Sequence, residues 1–176
     1  VTTDHCERLF YRDAWNRNGR ICGVDVPGCL GCDLIQGRRD LPGGFIFRSD
    51  TWVINHVVGS MNLGTLVLSP TEHIDALADL SQDASLELGL LLRRSALTVE
   101  QILQPEQTYV ALWAHGSDGR KHLHIVVQPV TAETVREYGG ARSEQLQALM
   151  LEGGVVADRA DIVDFCETAR AVFARV

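Results

Sequence analysis

The segment Lys121-His122-Leu123-His124-Ile125-Val126-Val127-Gln128-Pro129 sets two imidazoles two residues apart. Its β-branched and aliphatic residues, its lack of glycine and its closing proline predict a strand over 122–128. Side chains alternate across a strand, so His122 and His124 share one face while Leu123, Ile125 and Val127 share the other. Two imidazoles on one face of a rigid element can hold a metal, attack an electrophile, or divide the two tasks. A second constellation lies upstream. Cys29-Leu30-Gly31-Cys32 is a CxxC, which in a reducing compartment means a redox pair or metal ligands. No thioredoxin-like strand precedes it, and Gly28 and Gly31 favour a tight metal-binding turn. With His73 and His122 the two thiols make a Cys2His2 set suited to tetrahedral zinc; the alternative is a buried thiol pair beside two unrelated histidines. Cys22 is the one plausible substitute ligand.

These residues need elements to bring them together. Residues 2–18 read as a helix ended by Asn18-Gly19, and a Gly/Pro-rich stretch then carries the cysteines. One helical turn is expected over 32–36. Gly43-Gly44 opens a hairpin-like pair of strands, 45–48 and 52–55, and a third strand covers 65–69 before Pro70. A short helix is expected over 73–80. The longest helix runs from about Gln82 to Leu103, because Leu88, Leu91, Leu92, Val99, Ile102 and Leu103 repeat at helical spacing. Strands at 108–114 and 122–128 follow, joined by the polar turn Gly116-Ser117-Asp118-Gly119. Thr131 and Ser143 can cap helices, and Asp158 starts a final amphipathic helix to Val176, with Cys166 on its apolar side. The expected architecture is α+β: a five-stranded, mostly antiparallel sheet, one long helix across it, and helical extensions at both ends.

The chain has 176 residues and the apolar content of a globular protein, enough for one domain with a real core. Sixteen Lys and Arg against 23 Asp and Glu give a formal charge of −7, which argues against nucleic acid or an anionic membrane as partner. Five cysteines, an odd count, do not suggest a disulfide framework. No charged-then-apolar signal opens the sequence, so a cytoplasmic location is expected.

Three segments in order, Cys29-x-x-Cys32-Asp33-Leu34-Ile35-x-Gly37, Gly64-Thr65-Leu66-Val67-Leu68-x-Pro70-x-x-His73 and His122-Leu123-His124-Ile125-x-Val127-x-Pro129, resemble the histidine triad superfamily of nucleotidyl hydrolases and transferases. The resemblance runs from about Gly28 to Pro129, within a single domain spanning 1–176. The family's pattern alternates histidine with apolar residues and places proline eighth, which Pro129 matches. By resemblance, His122, His73, Cys29 and Cys32 are ligands of a structural zinc, and His124 is the nucleophile that takes a nucleotidyl group from an α-phosphorus. The resemblance also implies a dinucleoside polyphosphate or nucleoside phosphoramidate as substrate, and a homodimer. Val126 stands where the family has its third histidine or a glutamine, and Gln128 lies one step further on the same face. The turn before His122 offers Ser117, Arg120 and Lys121 to a phosphate. His115, Asn55 and His56 are further candidates to line the ligand pocket. Two rival readings accompany this one: a zinc-stabilised nucleotide-binding protein without turnover, and an enzyme using His124 on an activated acyl or carbamoyl donor.

Overall fold

Alternation becomes a sheet in the computed structural model, which describes residues 25–114, 120–138, 146, 148, 152 and 156–176. The expected helix at 2–18, the turn at 116–119 and the cap at Ser143 lie outside the described residues. Five strands, β1 (Phe45–Arg48), β2 (Trp52–His56), β3 (Leu66–Pro70), β4 (Gln107–Ala114) and β5 (Leu123–Val130), lie in the order β1-β2-β3-β5-β4. Every neighbouring pair is antiparallel. Among the described residues, these helices accompany them: α1 (Leu30–Ile35), α2 (Gln82–Leu103), α3 (Ala132–Tyr138) and α4 (Arg159–Phe173).

One face of the sheet carries the main core. Trp52 and Ile54, Leu66 and Leu68, and Ile125 and Val127 meet Ala84, Leu91 and Val99 of α2 there. Ser81 caps α2, its hydroxyl accepting from the amide of Ala84 at 3.1 Å, and Gln104 closes the helix in the left-handed region at φ 47°. The Trp52 indole N–H donates to the carbonyl of Ala84 at 2.9 Å, so the largest core side chain buries no unpaired donor.

The last helix belongs to this core rather than to a peripheral extension. Asp158 caps α4 by accepting from the amide of Ala160 at 2.7 Å. Phe165, Cys166, Ala169 and Phe173 are buried among the sheet residues and α2. Arg94 of α2 lies 4.1 Å from the centre of the Phe173 ring and also donates to the Phe173 carbonyl.

Two expectations shift. Pro129 does not end β5, which continues to Val130. Its carbonyl accepts from the Asn62 amide at 2.9 Å, on the side where the pairing with β3 has already stopped at Leu66, so its lack of an N–H breaks no rung. Residues 73–80 contain only the 3-10 turn Leu77–Asp79. The carbonyl of Ile74 accepts from the amide of Leu123 at 2.7 Å, which keeps the chain around His73 extended beside β5.

Candidate metal centre and histidine cavity

The opposite face of the sheet bears the candidate chemistry. Val53 and Asn55 of β2, Val67 and Ser69 of β3, Trp113 of β4, and His122, His124 and Val126 at β5 border a cavity of about 510 Å³. Its far wall is the segment 28–35, which holds the CxxC and α1, together with residues 57–61.

Cys29, Cys32, His73 and His122 converge behind that wall, all four buried, with their donor atoms within 4.8 Å of one another. Cys29 Sγ lies 3.4 Å from His122 Nδ1, Cys32 Sγ lies 3.3 Å from His73 Nδ1, and Cys32 Sγ lies 3.7 Å from His122 Nδ1. Bond lengths of about 2.0–2.3 Å to a tetrahedral zinc put sulfur and nitrogen donors roughly 3.5 Å apart, so these separations suit the ion without rearrangement. His122 Nε2–H donates to the Pro70 carbonyl at 3.2 Å, which fixes the tautomer and turns the Nδ1 lone pair toward the thiols. The His73 ring is fully buried and its Nε2 has no partner among the described residues. A cation at the centre of the four donors would account for an imidazole buried against a thiol. The hydrogen bond with Cys32, aided by His122 and His73 against the opposing effect of burial, holds the Cys29 thiol far below its usual range. The same bond and burial push Cys32 up. The pair therefore keeps one thiolate ready for a soft cation.

The loop that carries the cysteines is tightly placed. Asp33 Oδ1 accepts from the Gly28 amide at 3.2 Å and from Arg38 Nε at 2.6 Å, and the Arg38 guanidinium also grips both oxygens of Asp25. The Arg38 hydrogen bond keeps the Asp33 carboxyl below the ordinary carboxylate range. At Gly31 a Cβ would stand 2.7 Å from the His122 ring, so a glycine is needed for that imidazole to reach the thiols. At Gly28, where φ is +83°, a Cβ would stand 2.1 Å from Arg120 Nη1, which brings that guanidinium up against the CxxC loop.

His124 is half-buried on β5. Its Nδ1–H donates to the His122 carbonyl at 2.8 Å, so Nε2 is the unprotonated nitrogen of the neutral ring. Trp113, directly across the β4–β5 ladder, packs edge-on against it with ring centres 6.3 Å apart. Val126 follows on the same face, 3% exposed, and lines the cavity.

Of the other residues singled out in the sequence, Asn55 and Arg120 line this cavity. Lys121 is exposed and does not border it. Gln128 is fully buried with its amide on Met61 Sδ, and at about 3.3 Å per residue it lies roughly 13 Å along β5 from His124. His56 points to the opposite face of the sheet. Its Nδ1–H donates to the Val57 carbonyl and its Nε2 accepts from the Gly64 amide, both at 3.0 Å, with Phe165 edge-on to the ring. Burial pushes the His56 imidazole below its usual range. It is a core histidine with both nitrogens satisfied. His115 and Ser117 lie outside the described residues. The sequence reading missed Arg39, Ser69, Met61 and Trp113 as cavity residues. For Ser69 and Trp113 the signal was strand alternation, which shows its meaning only once the pairing partners are known; Arg39 and Met61 lie on loops, where no periodicity marks them.

No protein-family model and no curated protein matches the chain. Solved structures do. A Hit-like protein involved in cell-cycle regulation from Bartonella henselae superposes with a TM-score of 0.63 at 12% identity, over 85% of this chain and 98% of that one. A hypothetical histidine triad nucleotide-binding protein from Sulfolobus tokodaii gives 0.61 at 13% identity, over 83% and 92%. A Zn-bound histidine triad family protein from Mycobacterium smegmatis gives 0.59 at 16%, over 84% and 94%. The likeness is one of fold: an antiparallel five-stranded sheet with a long helix, as histidine triad proteins have it.

Proposed function

We propose that this chain, built on the histidine triad fold, is an enzyme that hydrolyses or transfers at the phosphate of a nucleotide. The observation that carries the reading is the hydrogen bond from His124 Nδ1 to the His122 carbonyl, 2.8 Å long, at the edge of a cavity. With Nδ1 donating, Nε2 is the nitrogen that attacks, and the backbone oxygen offsets the charge that grows on the ring. Attack forms an N–P bond as the bond from phosphorus to the leaving group breaks. Water or another acceptor then takes the nucleotidyl group and frees His124. Arg120 supplies positive charge for the phosphate. Val126 has no proton to give, which favours a dinucleoside polyphosphate, whose leaving group departs as an anion, over a phosphoramidate, whose amine must be protonated.

Cys29, Cys32, His73 and His122 would hold zinc, and four protein donors leave no open position, so the ion would hold the cavity wall in place. The reading includes a cytoplasmic protein, whose thiols stay reduced, and a homodimer. A second reading, nucleotide binding without turnover, draws on Val126 at the third position. Incubation with dinucleoside polyphosphates, read by phosphorus NMR for products and by intact mass for the adduct, separates the two. The expected result is an adduct that His124→Ala abolishes while retaining its zinc. Tight binding with neither product nor adduct would establish the second reading instead.

A further inference from the structure

Strand register puts a hydroxyl next to the nucleophile. β3 and β5 pair Leu66 with Val127, Val67 with Val126 and Leu68 with Ile125. The next position along each strand sets Ser69 beside His124. Ser69 in turn pairs with Val53 on β2, and His124 with Trp113 on β4. Val53, Ser69, His124 and Trp113 thus form one row across β2, β3, β5 and β4, and each of them borders the cavity. Leu68 belongs to the core on the opposite face, so the Ser69 side chain turns to the cavity side. Ser69 is 7% exposed, and its hydroxyl has no hydrogen-bond partner among the described residues. Nearly buried hydroxyls are paired as a rule. This one stands where an oxygen of a bound ligand can accept from it.

Substitution at phosphorus says which oxygen. Attack by His124 Nε2 and departure of the leaving group lie in line, on opposite sides of the phosphorus. Opposite side chains of an antiparallel pair stand about 4.5–5.5 Å apart at Cβ, so Ser69 is on the nucleophile's side. The leaving oxygen moves away from that side. The equatorial oxygens, over which charge spreads in the transition state, remain beside it. A hydroxyl placed there donates a hydrogen bond and gives up no proton, a task distinct from the leaving-group protonation that Val126 cannot perform. We infer that the Ser69 hydroxyl donates to a non-bridging oxygen of the phosphate that His124 attacks, which makes Ser69 a second catalytic residue. The inference rests on the proposed reaction at His124 and adds a residue to its machinery.

Ser69→Ala removes the hydroxyl and little else, and three measurements read the loss. Calorimetry with AMP reads the contact without the reaction; affinity is expected to fall about tenfold, as for a lost hydrogen bond to a charged group. The single-turnover rate of adduct formation from a dinucleoside polyphosphate, followed by intact mass, is expected to fall about a hundredfold with zinc content unchanged. Sulfur in place of either non-bridging oxygen at the attacked phosphorus gives two diastereomers. Sulfur is the weaker acceptor, so their rate ratio in the unaltered chain is expected to collapse toward unity in Ser69→Ala. The inference is overturned if affinity and rate both stay within about twofold of the unaltered chain, if the diastereomer ratio does not change, or if zinc is lost with the hydroxyl. A weaker grip on AMP in Ser69→Ala, with no adduct in the unaltered chain, overturns the reaction and leaves Ser69 as a phosphate contact. An adduct that forms as fast without the hydroxyl, at unchanged affinity, does the reverse. An unaltered chain that neither binds AMP nor forms an adduct overturns both.

Discussion

At Gly31 a single hydrogen atom occupies the place where any other side chain would press on the His122 ring, 2.7 Å away from a built Cβ. Gly31→Ala is therefore expected to push His122 out of line with the thiols. Its purified protein should carry less than about half the zinc of the unaltered chain by elemental analysis. Full zinc content would show that the ring gives way without losing its aim. The four donors themselves were legible in the sequence, because CxxC and a histidine on a strand are local patterns. Their supporting partners were not. His56 and Gln128 have the residue types of a ligand pocket, yet one turns to the helix-covered face and the other lies buried against Met61. Alternation along a strand fixes which residues share a face; it does not say where along that face the cavity ends.

At the scale of elements, α2 was readable from about Gln82 to Leu103, since the leucine spacing marks its buried stripe. The role of α4 was hidden. An amphipathic helix declares that it has a partner but not which one, and only the folded chain shows Phe165 and Phe173 completing the main core. Phe173→Ala removes a ring that is 2% exposed and packs against Phe47 as well as Arg94. Denaturant unfolding should show a loss of about 3–5 kcal/mol, as expected for a buried phenylalanine. A loss below about 1 kcal/mol would place α4 outside the cooperative core. The segment around His73 was expected to be helical because its composition permits a helix. The hydrogen bond from Leu123 to Ile74 outweighs that weak local preference.

For the molecule as a whole, the two sheet edges differ. β1 is four residues long and irregular between Phe45 and Phe47, which blunts it against pairing. β4 is eight residues long and leaves Val110 51% and Leu112 44% exposed at the open edge. That edge is where a second copy of the chain would bury apolar surface. Sedimentation should show a dimer at micromolar concentration, with Val110→Lys shifted toward monomer. A monomer at every concentration would remove the homodimer from the functional reading.

The meeting of Cys29 with His122, 93 positions apart, has a further consequence. An ion held by these donors and by His73 fastens three distant points of the chain, much as a covalent cross-link would. Closing a very long loop in this way costs the chain freedom when it folds, and that cost grows only with the logarithm of the length enclosed. The polypeptide between the knots is thereby free to vary in length at little entropic cost. Lengthening or shortening its surface turns would leave the knot, and the wall it anchors, where they are.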